Sequence, residues 1–331
     1  MSKVVVVTGG SAGVGRAAAK AFARRGDRVA LLARGVESLN AAAREVADAG
    51  GKPLAVPTDV AEHDQVEAAA DTVESELGPI DVWVNNAMTT VFAPFADIEA
   101  DEFARTTEVT YLGVVWGTMA ALRRMRARDH GVVVQVGSAL AYRGIPLQSP
   151  YCGAKHAIKG FTESLRCELL HDGSRVQVNM VQLPALNTPQ FEIGRTKMDR
   201  SPQPVPPIYQ PEVAADAIVW ASEHRRREIQ VAAPTVEVIL ANKLVPGLLD
   251  RYLARTGFDS QLTDESLTGG REGNLFAPVP GDHGTRGRFD DARERSILLA
   301  LAKRRRALAG AAGLAALGAV GAAARRLVLD D

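Results

Sequence analysis

The sequence is poor in cysteine and in aromatic residues, and it carries no net charge. It has two Cys among 331 residues, 5% aromatic residues, and 39 basic against 39 acidic side chains. The zero net charge excludes a bulk electrostatic attraction for nucleic acid. Because 46% of the residues are hydrophobic, disorder of the whole chain is excluded as well, and a folded globular protein is predicted.

The two cysteines lie too far apart to pair. Cys152 and Cys167 are 15 residues apart on one predicted helix, which separates them by about 22 Å at the standard helical rise. That distance is far outside the reach of a disulfide. We therefore expect a reducing, intracellular setting.

A long hydrophobic run is missing from the N-terminus. Val4–Val7 is a four-residue apolar run, followed at once by Gly-rich sequence. Such a run is too short for the core of a signal peptide. We expect it to be the first strand of a fold and the protein to be cytoplasmic.

The zero net charge is a cancellation between two parts of the chain. Ten basic and five acidic side chains lie between Arg286 and Asp331, so this tail carries +5 and residues 1–285 carry −5. The length allows one domain with an extension. The tail is therefore a different kind of sequence from the body.

Strand-like β-branched runs alternate with Ala-rich helical stretches over about 240 residues. Continuous apolar strands separated by helices are typical of a parallel sheet covered on both faces. We therefore predict an α/β fold with a doubly wound parallel sheet. The predicted strands are Lys3–Val7, Arg28–Ala33, Pro53–Pro57, Asp81–Val84, Gly131–Gly137, Arg175–Gln182 and Glu228–Ala233, and the two longest helices are about Ile98–Arg128 and about Ser149–His171.

Later segments extend or follow this core. The stretch 184–211 holds 7 of the 17 prolines and follows the carboxyl end of a strand, where such sheets bind ligands, so a lid is predicted there. A closing strand and a helix at Val245–Arg255 are predicted within Thr235–Thr256, which would complete a core domain of residues 1–256. Residues 257–295, rich in Gly, Asp, Thr and Pro, are predicted to be an irregular linker.

A glycine-rich loop follows the first strand directly and opens the first helix. It contains Thr8, Gly9, Ser11, Gly13, Val14 and Gly15. Glycines there permit a tight turn and let backbone amides and the positive helix end meet a pyrophosphate. Glycines also serve as ordinary turn residues. The position between strand and helix favours nucleotide binding.

The end of the second predicted strand distinguishes between dinucleotides. An acidic residue there would accept the ribose hydroxyls of NAD, but Ala33 holds that place, Arg34 follows it, and Arg16 follows the glycine loop. Two guanidinium groups suit the 2′-phosphate of NADP. The alternative is that both are solvated surface arginines. NADP is predicted in preference to NAD.

A tyrosine and a lysine lie one turn apart near the start of a long predicted helix. Tyr151 and Lys155 therefore share one face, and Ser138 ends a strand 13 residues before the tyrosine. A phenol has a pKa near 10, and a neighbouring ammonium group lowers it toward the neutral range. Such a pair is common on helix surfaces. Together with the glycine loop, it predicts acid–base chemistry beside a nucleotide.

These pieces together resemble the classical short-chain dehydrogenases/reductases, a family with a Rossmann-type fold. The resemblance covers about 70% of the chain, from residue 3 to residue 235. It suggests proton exchange by Tyr151 with a carbonyl or alcohol, support from Lys155 and Ser138, and homodimers or homotetramers formed through the two long helices. The matching segments are Thr8–Gly15, Asp59–Val60, Asn85–Asn86–Ala87, Ser138, Tyr151–Lys155 and Pro184–Thr188.

The resemblance also implies how a dinucleotide is held. Asp59 and Val60 would contact the adenine, Asn85 with Asn86 and Ala87 would support the cofactor strand, and Lys155 would hold the nicotinamide ribose. Pro184 and Thr188 would lie near the carboxamide. The nicotinamide would supply the hydride chemistry. The protein would position the reactants and supply a proton.

Three positions depart from the family pattern. Met88 stands in place of a glycine, which puts a bulky side chain near the site. Thr110 stands in place of an asparagine that orders a water in the proton relay, so a modified relay is expected. Ala185 follows Pro184 in place of a glycine, which should stiffen the hinge of the lid.

The predicted function is an NADP-dependent oxidoreductase that interconverts a carbonyl and a secondary alcohol. An apolar substrate is expected because Met88, Leu140, Leu186 and Phe191 fall near the expected pocket. The alternative is a non-catalytic nucleotide-binding scaffold or redox sensor with the same fold. The intact Ser138, Tyr151 and Lys155 favour the enzyme.

The histidines suggest no metal site. Six His residues are scattered along the chain. None is spaced from another or from a cysteine as zinc ligands are. No metal is expected.

The C-terminal segment 296–331 is predicted to contain a basic and apolar helix. Its stretch Ala307–Ala324 has 18 residues without a polar side chain, about 27 Å as a helix, which is at the short end for a bilayer. A membrane anchor, a soluble helix packed on the protein, and a disordered tail are three open alternatives. An anchor with these flanking cations would keep the body in the cytoplasm.

Overall fold

The structure is a computed structural model that describes residues 2–304. Its strands are β1 (Val4–Thr8), β2 (Arg28–Ala33), β3 (Lys52–Pro57), β4 (Val82–Asn85), β5 (Val91–Phe92), β6 (Val132–Ser138), β7 (Gln177–Leu183), β8 (Arg195–Thr196), β9 (Arg200–Pro202), β10 (Glu228–Gln230) and β11 (Leu262–Ser266). Its helices are α1 (Gly13–Ala23), α2 (Val36–Asp48), α3 (His63–Leu77), α4 (Ala100–Thr107), α5 (Gly113–Arg128), α6 (Ser149–His171), α7 (Gln190–Ile193), α8 (Pro211–Ala221), α9 (Ala233–Leu244) and α10 (Pro246–Thr256).

Seven parallel strands form the central sheet, in the order β10-β7-β6-β4-β1-β2-β3. The chain runs outward from β1 to β3 and then crosses to β4 on the other side of β1. A reversal of this kind leaves a crevice at the carboxyl ends of the two strands, where such sheets bind ligands. The predicted doubly wound α/β fold is confirmed.

The apolar run of β1 is buried on both faces, as a covered parallel sheet requires. Val5 and Val7 pack into the core beneath α1, α2 and α8. Val4 and Val6 pack into the opposite core, beneath α3, α5 and α6. Because successive side chains of a strand point to opposite faces, one run of valines supplies both cores.

Two predicted elements differ from the structure. The helix predicted at 98–128 is divided by a π-helical turn at Glu108–Leu112, between α4 and α5. The closing strand predicted after Thr235 is the helix α9. Its β-branched residues favour a strand, but Pro234 in the first turn suits a helix start and cannot donate to a sheet ladder.

The predicted lid is tied to the helix that precedes the π-helical turn. Glu102 of α4 is buried and accepts hydrogen bonds from Arg195 at 2.7 Å and from Lys197 at 2.9 Å. Burial by itself would raise the pKa of Glu102. The Glu99 amide, Lys197 and Arg195 outweigh that effect and hold the pKa below its ordinary value. The carboxylate is therefore a charged anchor for residues 195–197.

Replacing this anchor, Glu102→Gln, is expected to cost about 2–3 kcal/mol of unfolding free energy. Because the pKa is lower in the folded protein than in the unfolded chain, the carboxylate's contribution is complete above about pH 4.5. It disappears as the pH falls through the folded value. Urea unfolding from neutral to acid pH should therefore show a steeper loss for the wild type than for the variant.

Glu272 provides the matched control for this measurement. It pairs with the same Arg195, but its side chain is 87% exposed. Surface ion pairs contribute little, so Glu272→Gln is expected to leave the stability nearly unchanged. An equal loss in both variants would contradict the assignment of the anchor to Glu102.

The segment predicted as a linker packs on the body. Within 257–295, β11 pairs with β9 of the lid. Leu275 is fully buried, and the backbone of Arg293 forms an isolated β-bridge with that of Tyr209. These residues therefore pack against the lid and the core. Their contacts are made largely by backbone groups, which sequence periodicity does not reveal.

A helix begins at residue 297 and is described to residue 304. Leu299 packs into the core beneath α1 and α8, and Ser296 donates a hydrogen bond to the Val231 carbonyl. Within residues 2–304, no helix combines the length and the apolar character that a membrane crossing needs. The stretch Ala307–Ala324 lies outside the described residues.

Candidate active site

The glycine loop lies between β1 and α1, as predicted. Gly9 and Gly13 have φ values of +65° and +54°, a region that favours glycine. A Cβ on Gly9 would lie 2.9 Å from the Ala87 Cα. The loop therefore brings its backbone directly against the segment that follows β4.

Thr8 joins the ends of the two neighbouring strands. Its hydroxyl donates to the Val84 carbonyl at 3.3 Å and accepts from the amides of Asn86 and Ala87 at 2.9 and 3.0 Å. The Asn86 side chain donates back to the Thr8 carbonyl at 3.0 Å. These bonds hold the ends of β1 and β4 side by side at the crevice.

Asn85 faces the interior. Its side-chain nitrogen donates to Thr118 and Gln135 at 3.0 and 2.9 Å, and its oxygen accepts from the Trp83 indole at 2.8 Å. Asn85 is 1% exposed, so this network satisfies a buried amide. The residue supports β4 from inside and does not line the crevice.

Ser138, Tyr151 and Lys155 meet at the end of β6. Ser138 is the last residue of that strand, Tyr151 lies in the first turn of α6, and Lys155 follows one turn later. The Lys155 ammonium donates to the Val136 carbonyl at 2.7 Å and lies 5.4 Å from the centre of the Tyr151 ring. The structure therefore brings the three predicted residues together.

Burial dominates the ionisation of this group. It raises the pKa of Tyr151 well above its ordinary value, while a hydrogen bond with Ser138 acts in the opposite direction. Burial also lowers the pKa of Lys155 to about 8. The expected lowering of the tyrosine pKa by Lys155 is not seen, because burial is the dominant influence on the Tyr151 hydroxyl. The tyrosine is protonated at neutral pH.

Thr110 lies in the π-helical turn and is fully buried. Its hydroxyl donates to the Thr89 carbonyl at 2.9 Å and accepts from the Thr89 amide at 3.0 Å. It does not line the cavity described below. Thr110 therefore holds the segment after β4 in position.

One cavity of about 900 Å³ connects the glycine loop to the tyrosine. Its volume is at the upper end of the usual range for small-molecule sites. Thr8, Gly15, Asn85 and Thr110 were predicted for the site but lie outside the lining. The predicted residues that do line it are Gly9, Ser11, Gly13, Val14, Arg34, Asp59, Val60, Asn86, Ala87, Met88, Ser138, Leu140, Tyr151, Lys155, Pro184, Leu186, Thr188 and Phe191.

The part of the lining that follows residue 200 was not predicted from the sequence. Leu249, Tyr252 and Leu253 line the cavity from α10. Their spacing of three and four residues is the available signal, because it puts them on one helical face. The other missed residues include Gln203, Gln261, Asn274, Pro278, Val279, His283 and Arg293.

The two arginines predicted for a 2′-phosphate have different surroundings. Arg16 is buried and pairs with Glu45 at 2.8 Å and with Asp282, so it does not line the cavity. Arg34 lines the cavity and donates to the carbonyls of residues 274–276. Burial lowers its pKa. For Arg16, the structure therefore fits neither the predicted contact with a 2′-phosphate nor the alternative of a solvated surface arginine.

Residues 274–289, which we call the strap, cross the open side of the crevice. The Gly284 carbonyl accepts from the Gly13 amide at 3.0 Å. Further along, the Gly287 amide donates to the Asn187 carbonyl at 3.2 Å, and the Phe289 ring meets the Phe191 ring at 6.0 Å. The strap therefore connects the end of β2, the start of α1 and the lid.

Comparison with known proteins agrees with this geometry. Residues 3–198 match the family model described as short chain dehydrogenase. The uncharacterized oxidoreductase YxnA of Bacillus subtilis (strain 168) is 31% identical over 283 residues, covering 85% of this chain and 80% of that protein. The alignment with YxnA is longer than the match to the family model, so the similarity extends beyond residues 3–198.

Two further proteins have assigned names. The cis-4-hydroxycyclohexanecarboxylate dehydrogenase of Sinomonas cyclohexanicum is 33% identical over 226 residues, 66% of this chain and 88% of that protein. The structure of an alcohol dehydrogenase from the archaeon Thermococcus sibiricus, complexed with 5-hydroxy-NADP, superposes with a TM-score of 0.61 at 26% identity, covering 70% of this chain and 96% of that one. The chain therefore belongs to the short chain dehydrogenase family of oxidoreductases.

Proposed function

We propose that the protein is an NADP(H)-dependent oxidoreductase that interconverts a carbonyl and a secondary alcohol on an apolar small molecule. One observation carries this proposal. A single cavity contains the glycine loop at one end and Ser138, Tyr151 and Lys155 at the other. A dinucleotide and a small substrate can therefore meet within it.

The residues at the glycine loop fit a dinucleotide. Helix α1 has no side-chain cap at Ala12 and no acidic residue in its first turn. The Gly13 amide donates to the Gly284 carbonyl of the strap. The amides that follow it in the first turn can bind a negatively charged group, and the helix dipole favours one. The pyrophosphate would lie there, against Gly13 and Val14.

The cofactor would supply hydride transfer, and the chain's own residues would supply orientation and a proton. Tyr151 is protonated at neutral pH and can donate its proton to the oxygen of a carbonyl. The Ser138 hydroxyl lies beside it and can hydrogen-bond the same oxygen. Lys155, with its pKa near 8, can return a proton to the tyrosine, and its position suits contact with the ribose.

The lining supports an apolar substrate. Met88, Leu140, Leu186 and Phe191 all face the cavity, and Leu249 and Leu253 add apolar surface opposite. Apolar lining with few polar groups is typical of sites that recognise small organic molecules. The names of the Sinomonas and Thermococcus relatives point to alcohol oxidation or its reverse.

A panel of aldehydes, ketones, steroids and lipid-derived alcohols, measured by the absorbance of NADPH, tests the proposed reaction. Turnover of one apolar class with saturation kinetics is the expected result. Tight binding of NADPH without turnover of any compound would favour the scaffold or redox sensor instead. Absence of binding of any nucleotide would contradict both functions.

The preference for NADP rests on Arg34. It lines the cavity at the end of β2, and its direct partners are neutral carbonyls, so its positive charge remains available to a phosphate. Arg16, by contrast, is neutralised by two carboxylates. We therefore assign the 2′-phosphate contact to Arg34 alone.

Replacing this residue, Arg34→Ala, is expected to weaken NADPH binding at least about tenfold, because a charge-assisted contact is lost. NADH binding should change less than about threefold. Fluorescence titration with both nucleotides measures the two affinities, and Arg44→Ala on the exposed side of α2 is the control. Equal losses for NADPH and NADH would show that Arg34 only anchors the strap.

We also propose a cytoplasmic homodimer or homotetramer formed through the helical segments 100–128 and 149–171. Met119 of α5 and Leu170 of α6 are 41% and 68% exposed, which leaves apolar surface on both elements. Association of two copies would bury such surface. Light scattering of the purified protein measures the oligomeric state.

A further inference from the structure

The strap is fixed to the cleft at its middle by one acidic side chain. Asp282 binds Arg16, with Oδ2 3.1 Å from Nη2, and its Oδ1 accepts from the Gly284 amide at 3.2 Å. The Ser38 hydroxyl lies 3.4 Å from the same Oδ1. The carboxylate therefore fills an anion position between the glycine loop and α2.

This anion position borders the proposed dinucleotide site. Ser11 and Ser38, which flank it, both line the cavity, as does Arg34. The Ser11 carbonyl accepts from Ser38 at 3.0 Å and from Arg16 at 3.3 Å. In folds of this kind the pyrophosphate lies at the first helix and the adenosine ribose near the end of the second strand. A phosphate on that ribose would lie beside Asp282.

Asp282 is charged and bound to Arg16, but this ion pair can open. The hydrogen bond from Arg16 keeps the pKa of Asp282 below its ordinary value, so the group is negatively charged at neutral pH. Its side chain is 41% exposed, whereas that of Arg16 is 2% exposed. Glu45 pairs with Arg16 at 2.8 Å, so the buried guanidinium keeps a carboxylate partner when Asp282 leaves, which limits the cost of opening the pair. The strap can therefore detach here while Arg16 stays paired with Glu45.

We infer that Asp282 is a specificity-determining residue of the dinucleotide site. Its carboxylate lies beside the place that a 2′-phosphate would take, and the two like charges repel, so a nucleotide with that phosphate opens the strap. A nucleotide without it leaves the pair of Asp282 and Arg16 closed. This inference rests on the proposed dinucleotide function. Arg34 would favour a nucleotide with a 2′-phosphate, and Asp282 would disfavour it.

Two nucleotide fragments isolate the phosphate from the rest of the cofactor. Binding of 2′,5′-ADP and of 5′-AMP to the full-length protein is measured by calorimetry, alongside NADPH and NADH. Asp282→Asn is expected to strengthen 2′,5′-ADP binding about fivefold to tenfold, since one repelling unit charge is removed. Binding of 5′-AMP should change less than about twofold.

Asp290→Asn is the matched control, because it removes the same charge from an exposed carboxylate directly after the strap. It is expected to leave the ratio of the two affinities within about twofold of the wild type. A ratio unchanged by Asp282→Asn, or changed equally by both variants, would overturn the inference. If no nucleotide binds at all, the proposed function itself fails, which is a distinct result.

Hydrogen exchange of the strap gives a second readout, independent of affinity. The Gly281 amide donates to Glu37 at 3.1 Å, and the Gly284 amide donates to Asp282. In the wild type, 2′,5′-ADP should raise exchange of residues 279–287, and 5′-AMP should not. Equal protection by both ligands would also overturn the inference, because the phosphate would then leave the strap closed.

Discussion

Replacing Tyr151 by phenylalanine is expected to lower kcat for carbonyl reduction by about three orders of magnitude, within the range that one general acid contributes. The variant loses only the hydroxyl that donates the proton, and the ring keeps its place between Ser138 and Lys155. Binding of NADPH should therefore be retained within about threefold. Steady-state kinetics and a fluorescence titration on the same preparation measure both quantities.

Tyr111 provides the control for this substitution. It packs beside Val114 and Ile158, outside the lining of the cavity, so Tyr111→Phe should leave kcat nearly unchanged. Retention of more than a tenth of the wild-type kcat by Tyr151→Phe would exclude the tyrosine as the proton donor. In that event the buried Lys155, whose pKa is about 8, would be the next candidate.

The second large effect is expected at Gly15. A Cβ there would lie 2.1 Å from the Gly9 carbonyl oxygen and 2.6 Å from the Asn86 side-chain nitrogen, closer than van der Waals contact allows. In Gly15→Ala the loop must therefore move away from α1. Forced backbone shifts of this kind cost about 1–3 kcal/mol.

Nucleotide binding should suffer more than stability in this variant. The displaced loop no longer presents its amides at the start of α1, so affinity for NADPH is expected to fall at least about a hundredfold, the loss of roughly two charge-assisted hydrogen bonds. Calorimetric titration and thermal unfolding measure the two effects. Gly247→Ala is the control, because a Cβ there meets no atom within 4 Å. Normal NADPH affinity in Gly15→Ala would mean that the loop does not bind the pyrophosphate.

The sheet and the cluster of Ser138, Tyr151 and Lys155 were predictable because their signals are local. The valines of β1 are apolar at consecutive positions, which a strand covered on both faces requires. Tyr151 and Lys155 lie one turn apart, and Ser138 ends a strand close by in sequence. In each case, neighbouring residues determine the geometry.

The strap was not predictable, for a physical reason. Its contacts with Gly13 and Arg34 are made by backbone carbonyls. Because every residue type provides a backbone carbonyl, the amino-acid sequence does not indicate these contacts. Its ion pair joins residues 266 positions apart. The helix α9 was missed because β-branched residues outweighed the signal from Pro234. Long-range packing decides such cases, and periodicity does not record it.

The cavity is divided between two stretches of sequence. The end of the cavity that holds Ser138, Tyr151 and Lys155 belongs to residues 3–198, which match the family model. Part of the opposite wall is formed by Gln203, Leu249, Tyr252 and Gln261. Substitutions in this later stretch can reshape the space for a substrate while Tyr151 and the glycine loop stay as they are. A lineage can therefore exchange one alcohol for another without rebuilding its chemistry, and grafted loops can do the same in the laboratory.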